Sequence, residues 1–197
     1  MKHFFIFILS FFFIAPAMAQ TGNAVYLQQA QNWLSNLKTA KARFQQVDYQ
    51  GNTLNGTFYI NRPGRLRFEY DDPVKDYIVA DGYLIHFYDG SSGQTNSGPI
   101  GSTLADFILR DGNRFDEKVN VESIRERDGM VQIALSQKDQ PGMGELILNF
   151  AKNPFTLKSW QIIDAQGLTT NIVLSDLQNV ATLPPTLFQM RNLNLNE

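Results

Sequence analysis

Apolar and polar residues along the chain follow two different periods. From Asn23, which suits a helix N-cap, apolar residues recur every three or four positions with Gln and Asn between them. They are Tyr26, Ala30, Trp33, Leu34 and Leu37. This spacing predicts one amphipathic helix over residues 24–38. After the helix the period changes to two, in short runs broken by Gly, Asn, Asp and Pro, a pattern typical of antiparallel strands.

The period-two runs are numerous for one small domain. They predict strands at residues 43–49, 53–61, 65–70, 77–80, 83–88, 119–127, 130–136, 144–150, 157–164, 169–177 and 187–193. Pairs such as Asp81-Gly82 and Asp128-Gly129 between them have the chemistry of tight turns. So many strands imply a strongly bent sheet or an incomplete barrel, within an α+β fold.

A second, shorter helix is predicted between the early and the late strands. Thr103-Leu104-Ala105-Asp106 has the spacing of a capping box, Phe107 and Ile108 extend its apolar stripe, and Gly112 ends it. The preceding residues, 89–102, are rich in Gly and Ser and predict a mobile loop. A helix carried by such a loop and lying across a sheet can act as a lid.

Two neighbouring strands show which face of the sheet is apolar. The first carries Phe58, Ile60 and Arg62 on one side, and the second alternates Leu66, Phe68 and Tyr70 with Arg65, Arg67 and Glu69. We expect the apolar row to line a concave face and the charged row to face solvent. Arg62 then stands at the rim of the apolar row. It either donates to the exposed ends of a covering helix or extends to water, and alternation alone favours neither.

The N-terminus predicts export. Lys2 precedes an apolar run over residues 4–15, and Ala17-Met18-Ala19 forms a small-residue cleavage site, so residues 1–19 have the pattern of a signal peptide. Residues 20–197 are then a single domain in the periplasm. The whole chain has 17 Lys and Arg residues, one of them Lys2, against 19 Asp and Glu, which leaves a net charge of −3 after cleavage. This mild acidity argues against a nucleic-acid partner.

Residues suited to catalysis are scarce. The chain has no cysteine, and His86 is the one histidine after residue 19. A nucleophile needs companion groups that a lone histidine lacks, so we expect neither an enzyme, nor a metal site, nor a cofactor. Asp71 and Asp72 precede a proline and suit a turn. One catalytic alternative stays open, a periplasmic hydrolase that uses Asp71, Asp72 and Asp81.

One stretch resembles a known family. Residues 56–70 (GTFYINRPGRLRFEY), followed by Pro73, by Val79-Ala80-Asp81-Gly82 and by Phe87-Tyr88-Asp89, are similar to the signature block of LolA proteins. The shared features are the G-x-F-x-x-x-R-P opening, the alternating aromatic strand and the V-x-D-G turn. The resemblance spans the chain after residue 19 and is specific over about its first half.

The resemblance implies a strongly bent antiparallel sheet, or half-open β-barrel, covered by short helices over an apolar cavity. Such carriers take acylated lipoproteins from an ATP-driven inner-membrane releasing complex to an outer-membrane acceptor, where one is present, and we expect a monomer. It implies that Arg62 is a lid latch and that Leu66 lies at the entrance. We expect the acyl-binding residues to be Phe58, Ile60, Leu66, Phe68, Tyr70, Trp33, Leu34, Leu104, Phe107 and Ile108. A carrier or sensor of glycolipids or fatty acids on the same fold is the alternative.

Overall fold

The computed structural model describes residues 18–111, 115 and 118–190. Most of these residues form strands whose side chains alternate between the two faces of a sheet, as the period of two predicts. The strands are β1 (Thr39–Val47), β2 (Thr53–Asn61), β3 (Arg65–Tyr70), β4 (Tyr77–Asp81), β5 (Leu84–Asp89), β6 (Gln94–Pro99), β7 (Val119–Arg127), β8 (Met130–Gln137), β9 (Gly144–Lys152), β10 (Phe155–Asp164) and β11 (Thr169–Asn179).

The described strands form one antiparallel sheet of 11 strands in the order β6-β5-β4-β3-β2-β1-β11-β10-β9-β8-β7. The chain therefore runs outward from β1 to one edge, crosses to the other edge, and returns to pair β11 with β1. The sheet is not closed, because β6 and β7 stand at opposite ends of this order. The α+β class and the open, bent sheet predicted from the sequence are confirmed.

Two helices lie on the concave face. Helix α1 (Met18–Asn36) contacts β7 and β10, and its residues Ala30 and Leu34 are fully buried. Helix α2 (Asp106–Leu109) is a single turn that follows β6 and a 3-10 turn at Ile100–Ser102. Residues 100–110 are called the lid segment below. Both helices pack on one apolar core that also contains the inward side chains of both halves of the sheet.

Three predictions about the helices and the loop before α2 were wrong. Helix α1 begins at Met18, so Asn23 lies inside the helix and is not its N-cap. At the second helix Thr103 does not form a capping box, since its Oγ1 donates to the Ile100 carbonyl and the N-cap position is Ala105. The predicted mobile loop at 89–102 contains strand β6, where Gln94 to Pro99 pair with β5. The predicted stop at Gly112 lies outside the described residues.

The C-terminal part also differs from the prediction. Residues 185–188 form a 3-10 turn (Pro185–Phe188) instead of starting a strand, and residues 191–193 lie outside the described part of the chain. This turn lies across the convex face, where Phe188 packs with Tyr77 and Val79 in a second, smaller core. It covers Arg67, which is 2% exposed and not in solvent as the charged row predicted.

Arg67 keeps polar partners beneath this cover. Its Nε donates to Glu69 at 3.1 Å and its Nη1 donates to the Leu187 carbonyl at 3.4 Å. The guanidinium also lies 4.6 Å from the centre of the Tyr77 ring. A strand that is charged on one face can therefore be buried on both, because a later segment supplies acceptors for the charge.

Within residues 18–111, 115 and 118–190, no helix combines the length and apolar character needed to cross a bilayer. Of the predicted signal peptide, only Met18 and Ala19 fall within the described residues, and both belong to α1.

Candidate functional site: an apolar cavity beneath the lid segment

A cavity of about 400 Å³ lies between the concave face of the sheet and the lid segment. Its wall is largely apolar. The sheet contributes Phe58, Leu66, Phe68, Tyr70, Ile78, Ile85, Phe87, Leu146, Trp160, Ile162 and Ile172, and the lid segment contributes Thr103, Leu104, Ala105 and Ile108. Met143 and the polar residues Gln46, Asp164 and Thr170 complete it. A concave apolar surface with a few polar groups is typical of sites for small apolar ligands.

The structure places six of the ten expected acyl-binding residues on this wall: Phe58, Leu66, Phe68, Tyr70, Leu104 and Ile108. The other four lie in the packed core beside it and do not line the cavity. Ile60 and Leu34 are fully buried, Phe107 is 1% exposed, and Trp33 packs edge-on against Phe150 with ring centroids 5.7 Å apart. Their periodicity identified the core correctly but could not separate the wall of a cavity from solid packing.

An aromatic cluster forms the floor of the cavity. Phe58 lies 4.8 Å from Phe68 and 5.8 Å from Trp160, measured between ring centroids, and Phe44 meets Phe68 edge-on at 5.0 Å. The close approach of Phe44 to β2 requires Gly56, its partner in register, since a Cβ there would collide with the Phe44 ring. The first glycine of the signature stretch therefore has a packing role.

The sequence pattern did not identify Trp160 or the other wall residues of the second half of the chain as part of the site. Trp160 and Ile162 are two positions apart on β10, and Ile172 lies on β11. This period of two was the signal that could have identified them as residues of the inward face. It did not show that these two strands face β2 and β3 across one hollow, because that depends on the pairing of β11 with β1.

Arg62 joins the sheet to both helices. It is 8% exposed, and its Nη1 donates to the carbonyls of Leu34 and Leu37, the latter at 3.3 Å, at the end of α1. Its Nη2 donates to the carbonyl of Arg110, directly after α2. The last carbonyls of a helix lack partners within the helix, so a cation placed there satisfies them and the helix dipole together.

The surroundings of Arg62 are largely dehydrated. Burial lowers the pKa of Arg62 to about 10, opposed by the charge of Asp111. The guanidinium therefore remains protonated at neutral pH. The backbone reinforces the contact, since the amide of Gly64 donates to the Leu109 carbonyl at 2.9 Å. Of the two positions that alternation allowed for Arg62, the structure shows the one at the helix ends.

The wall has a polar edge at the strand ends farthest from Arg62. The Tyr70 hydroxyl donates to the Gln46 side chain at 2.9 Å, and burial raises the pKa of Tyr70 to about 12. Gln46, Asp164 and Thr170 lie near the ends of β1, β10 and β11 on this side. The cavity thus has its polar residues at one end and Arg62 beyond the other end.

The candidate carboxylates of a hydrolase do not form one site. Asp71 accepts from Arg43 and Asp72 from Lys75, both at the end of β3 where Tyr70 lies. Asp81 pairs in register with Arg65 at the opposite end of β3, and its Oδ2 lies 3.3 Å from His86 Nε2. His86 Nδ1 lies 2.7 Å from the Ser97 hydroxyl. Each carboxylate therefore has its own surface partner, and they do not converge on a cleft.

Comparisons with known proteins agree with this geometry. The family model described as outer membrane lipoprotein carrier protein LolA matches residues 35–191. An outer-membrane lipoprotein carrier protein of Nitrosomonas europaea is 31% identical over 140 residues, 68% of this chain and 67% of that protein. One of Chromobacterium violaceum is 29% identical over 181 residues, 89% of this chain and 87% of that protein.

A solved structure of a DUF1329 family protein from Desulfovibrio piger has the same fold, with a TM-score of 0.52 at 12% identity, over 86% of this chain and 96% of that one. The match to the family model covers more than half of the chain, including β1 to β11 and the lid segment. The open sheet, the apolar cavity and the R-P turn that meets both helices all fall within it. The chain therefore belongs to the LolA family of outer membrane lipoprotein carrier proteins.

Proposed function

We propose that this protein carries lipoproteins through the periplasm by enclosing their acyl chains in the cavity beneath the lid segment. The observation that carries the proposal is the cavity itself, about 400 Å³ with a largely apolar wall, joined to a lid segment that Arg62 holds. The proposal includes export by residues 1–19, loading by an ATP-driven inner-membrane complex, delivery to an outer-membrane acceptor, and a monomeric carrier. No step of it requires catalysis.

The size of the cavity defines what the closed form can hold. At about 400 Å³ it lies toward the lower end of the range, about 300–1,000 Å³, in which small-molecule pockets fall. A lipoprotein carries several acyl chains, so loading requires that the lid segment move outward. Leu104 and Ile108 line the cavity from the lid side and move with that segment.

Closure of the lid segment competes with binding of the acyl chain. Burial of a methylene contributes about 0.8 kcal/mol, so one long acyl chain offers about 10 kcal/mol before any opposing cost. A carrier with that affinity would not release its cargo. Closure of the lid segment opposes binding, because the apolar lid side chains and the Arg62 hydrogen bonds are regained when the acyl chain leaves.

Acyl binding can be tested directly with the protein after removal of residues 1–19. A fluorescent fatty-acyl probe should gain emission on addition of micromolar protein. Leu66→Glu places a carboxylate on the cavity wall and should abolish the gain, since a charge in an apolar site has a large desolvation cost. Val173→Glu, on a side chain that is 48% exposed, is the matched control and should bind as the parent does. Far-UV circular dichroism checks that both variants fold.

Two results would contradict the proposal: no emission gain with the parent, or equal binding by Leu66→Glu. Mass spectrometry of species that co-purify from the periplasm then identifies the cargo. Acylated lipoproteins are expected, and recovery of free fatty acids or glycolipids alone would favour the alternative carrier.

A further inference from the structure

The lid segment has a second polar attachment, at the end opposite Arg62. The Nε2 of Gln137, the last residue of β8, donates to the carbonyl of Gly101 at 3.3 Å and to that of Thr103 at 3.2 Å. Gln137 is 6% exposed, although an amide side chain usually lies in water. The hydrogen bonds compensate for its burial.

These bonds connect the two open edges of the sheet. The lid segment follows directly from edge strand β6, and Gln137 lies on β8 next to edge strand β7. The sheet hydrogen bonds do not connect β6 to β7, because they are at opposite ends of the strand order. Gln137 therefore crosses the gap in the barrel through side-chain contacts.

The attachment adjoins the cavity. Thr103, whose carbonyl Gln137 holds, lines the cavity together with its neighbours Leu104 and Ala105. Arg62 holds the other end of the same segment at the carbonyl of Arg110. Movement of residues 101–105 away from β8 would uncover the cavity, and the Gln137 bonds resist that movement.

We propose that Gln137 is a second latch, and that the lid segment opens first at this end while Arg62 still holds residue 110. Its amide is a neutral donor, and neutral hydrogen bonds contribute about half as much as those from a charged donor. The weaker attachment therefore breaks first. Its role in admitting acyl chains rests on the proposed function, but its role in holding the lid segment does not.

The absence of cysteine from the sequence gives a direct assay for lid opening. Leu104→Cys introduces a single thiol at a position 8% exposed on the cavity wall, and its labelling rate reports how often the lid segment opens. Leu148→Cys, at a fully buried position in β9, reports opening of the core. Both reporters are combined in turn with Gln137→Glu, Gln137→Leu and the control Gln132→Glu, on the same strand.

Gln137→Glu keeps the shape of the side chain and replaces its donor with an acceptor that faces two carbonyls. At pH 8 a glutamate, with an ordinary pKa of about 4.3, is ionised and cannot donate. We expect Leu104→Cys to react about 5 to 30 times faster with Gln137→Glu or Gln137→Leu, the factor for a loss of one to two neutral hydrogen bonds. Leu148→Cys should react at its parent rate, and Gln132→Glu should change neither thiol.

Unchanged labelling of Leu104→Cys in both Gln137 variants would overturn the second latch. Equal acceleration at both thiols would also overturn it, because Gln137 would then support the whole core. Faster labelling at Leu104→Cys alone supports the latch. If that result is obtained and no acyl probe binds the parent, the latch stands and the proposed function fails, so the two failures are distinguishable.

Discussion

Replacement of Arg62 by leucine should make the carrier bind acyl chains more tightly and release them more slowly. Arg62 donates to the carbonyls of Leu34, Leu37 and Arg110, and each bond from a charged donor contributes about 1.5–3 kcal/mol. Burial opposes this gain, since it lowers the pKa of Arg62 to about 10. We therefore take the net contribution of the latch as about 3 kcal/mol, or about a hundredfold in an equilibrium constant.

This energy holds the empty carrier closed, so its loss should appear in the dissociation constant of a fluorescent acyl probe. We expect about a hundredfold tighter binding in Arg62→Leu, and a correspondingly slower transfer of a loaded lipoprotein to acceptor liposomes. Arg65→Leu removes an exposed arginine three positions away and should change neither quantity. Equal dissociation constants and equal transfer rates in Arg62→Leu and the parent would refute the latch.

Three smaller predictions test separate parts of the structure. Burial raises the pKa of Tyr70 to about 12, so the folded protein retains a proton that the unfolded chain loses near pH 10. The free energy of unfolding should therefore fall between pH 10 and pH 12. Urea titration should show that this fall is absent in Tyr70→Phe. Phe188→Ala should lower the free energy of unfolding by about 3–5 kcal/mol, measured by urea titration, because Phe188 is 2% exposed in the second core. Tyr26→Phe removes a 2.6 Å bond to Glu126 at the surface, and its melting temperature should stay within about 2–4 °C of the parent, since exposed polar contacts contribute little.

The local sequence pattern was sufficient to predict most of the sheet. Strands β2, β3 and β7 have the predicted bounds. In β2 and β3 alternating apolar residues define the strand, whereas β7 was found despite a bulge between Val121 and Ser123. Strand β6 was not predicted, since Gln94 to Pro99 contain no apolar residue to mark a period. Backbone pairing with β5 makes this segment a strand, although its own side chains do not predict one.

The site was predictable on one side only. Alternation identified Phe58, Leu66 and Phe68 as inward residues, and the structure places all three on the cavity wall. The partners of Arg62 lie 25 to 48 residues away from it, and those of Gln137 lie 34 to 36 residues away, so no local pattern predicts either set of contacts. Burial of Arg67 was missed for the same reason, because Leu187 reaches it from 120 residues away.

If acyl chains occupy the cavity lined by Trp160, the two tryptophans of the chain report it directly. Trp160 is on the cavity wall, whereas Trp33 packs against Phe150 in the adjoining core. A brominated fatty acid quenches an indole that it contacts. With single-tryptophan variants, we predict strong quenching of Trp160 in Trp33→Phe and weak quenching of Trp33 in Trp160→Phe. Quenching of Trp33 alone, or of neither, would contradict binding of acyl chains in this cavity.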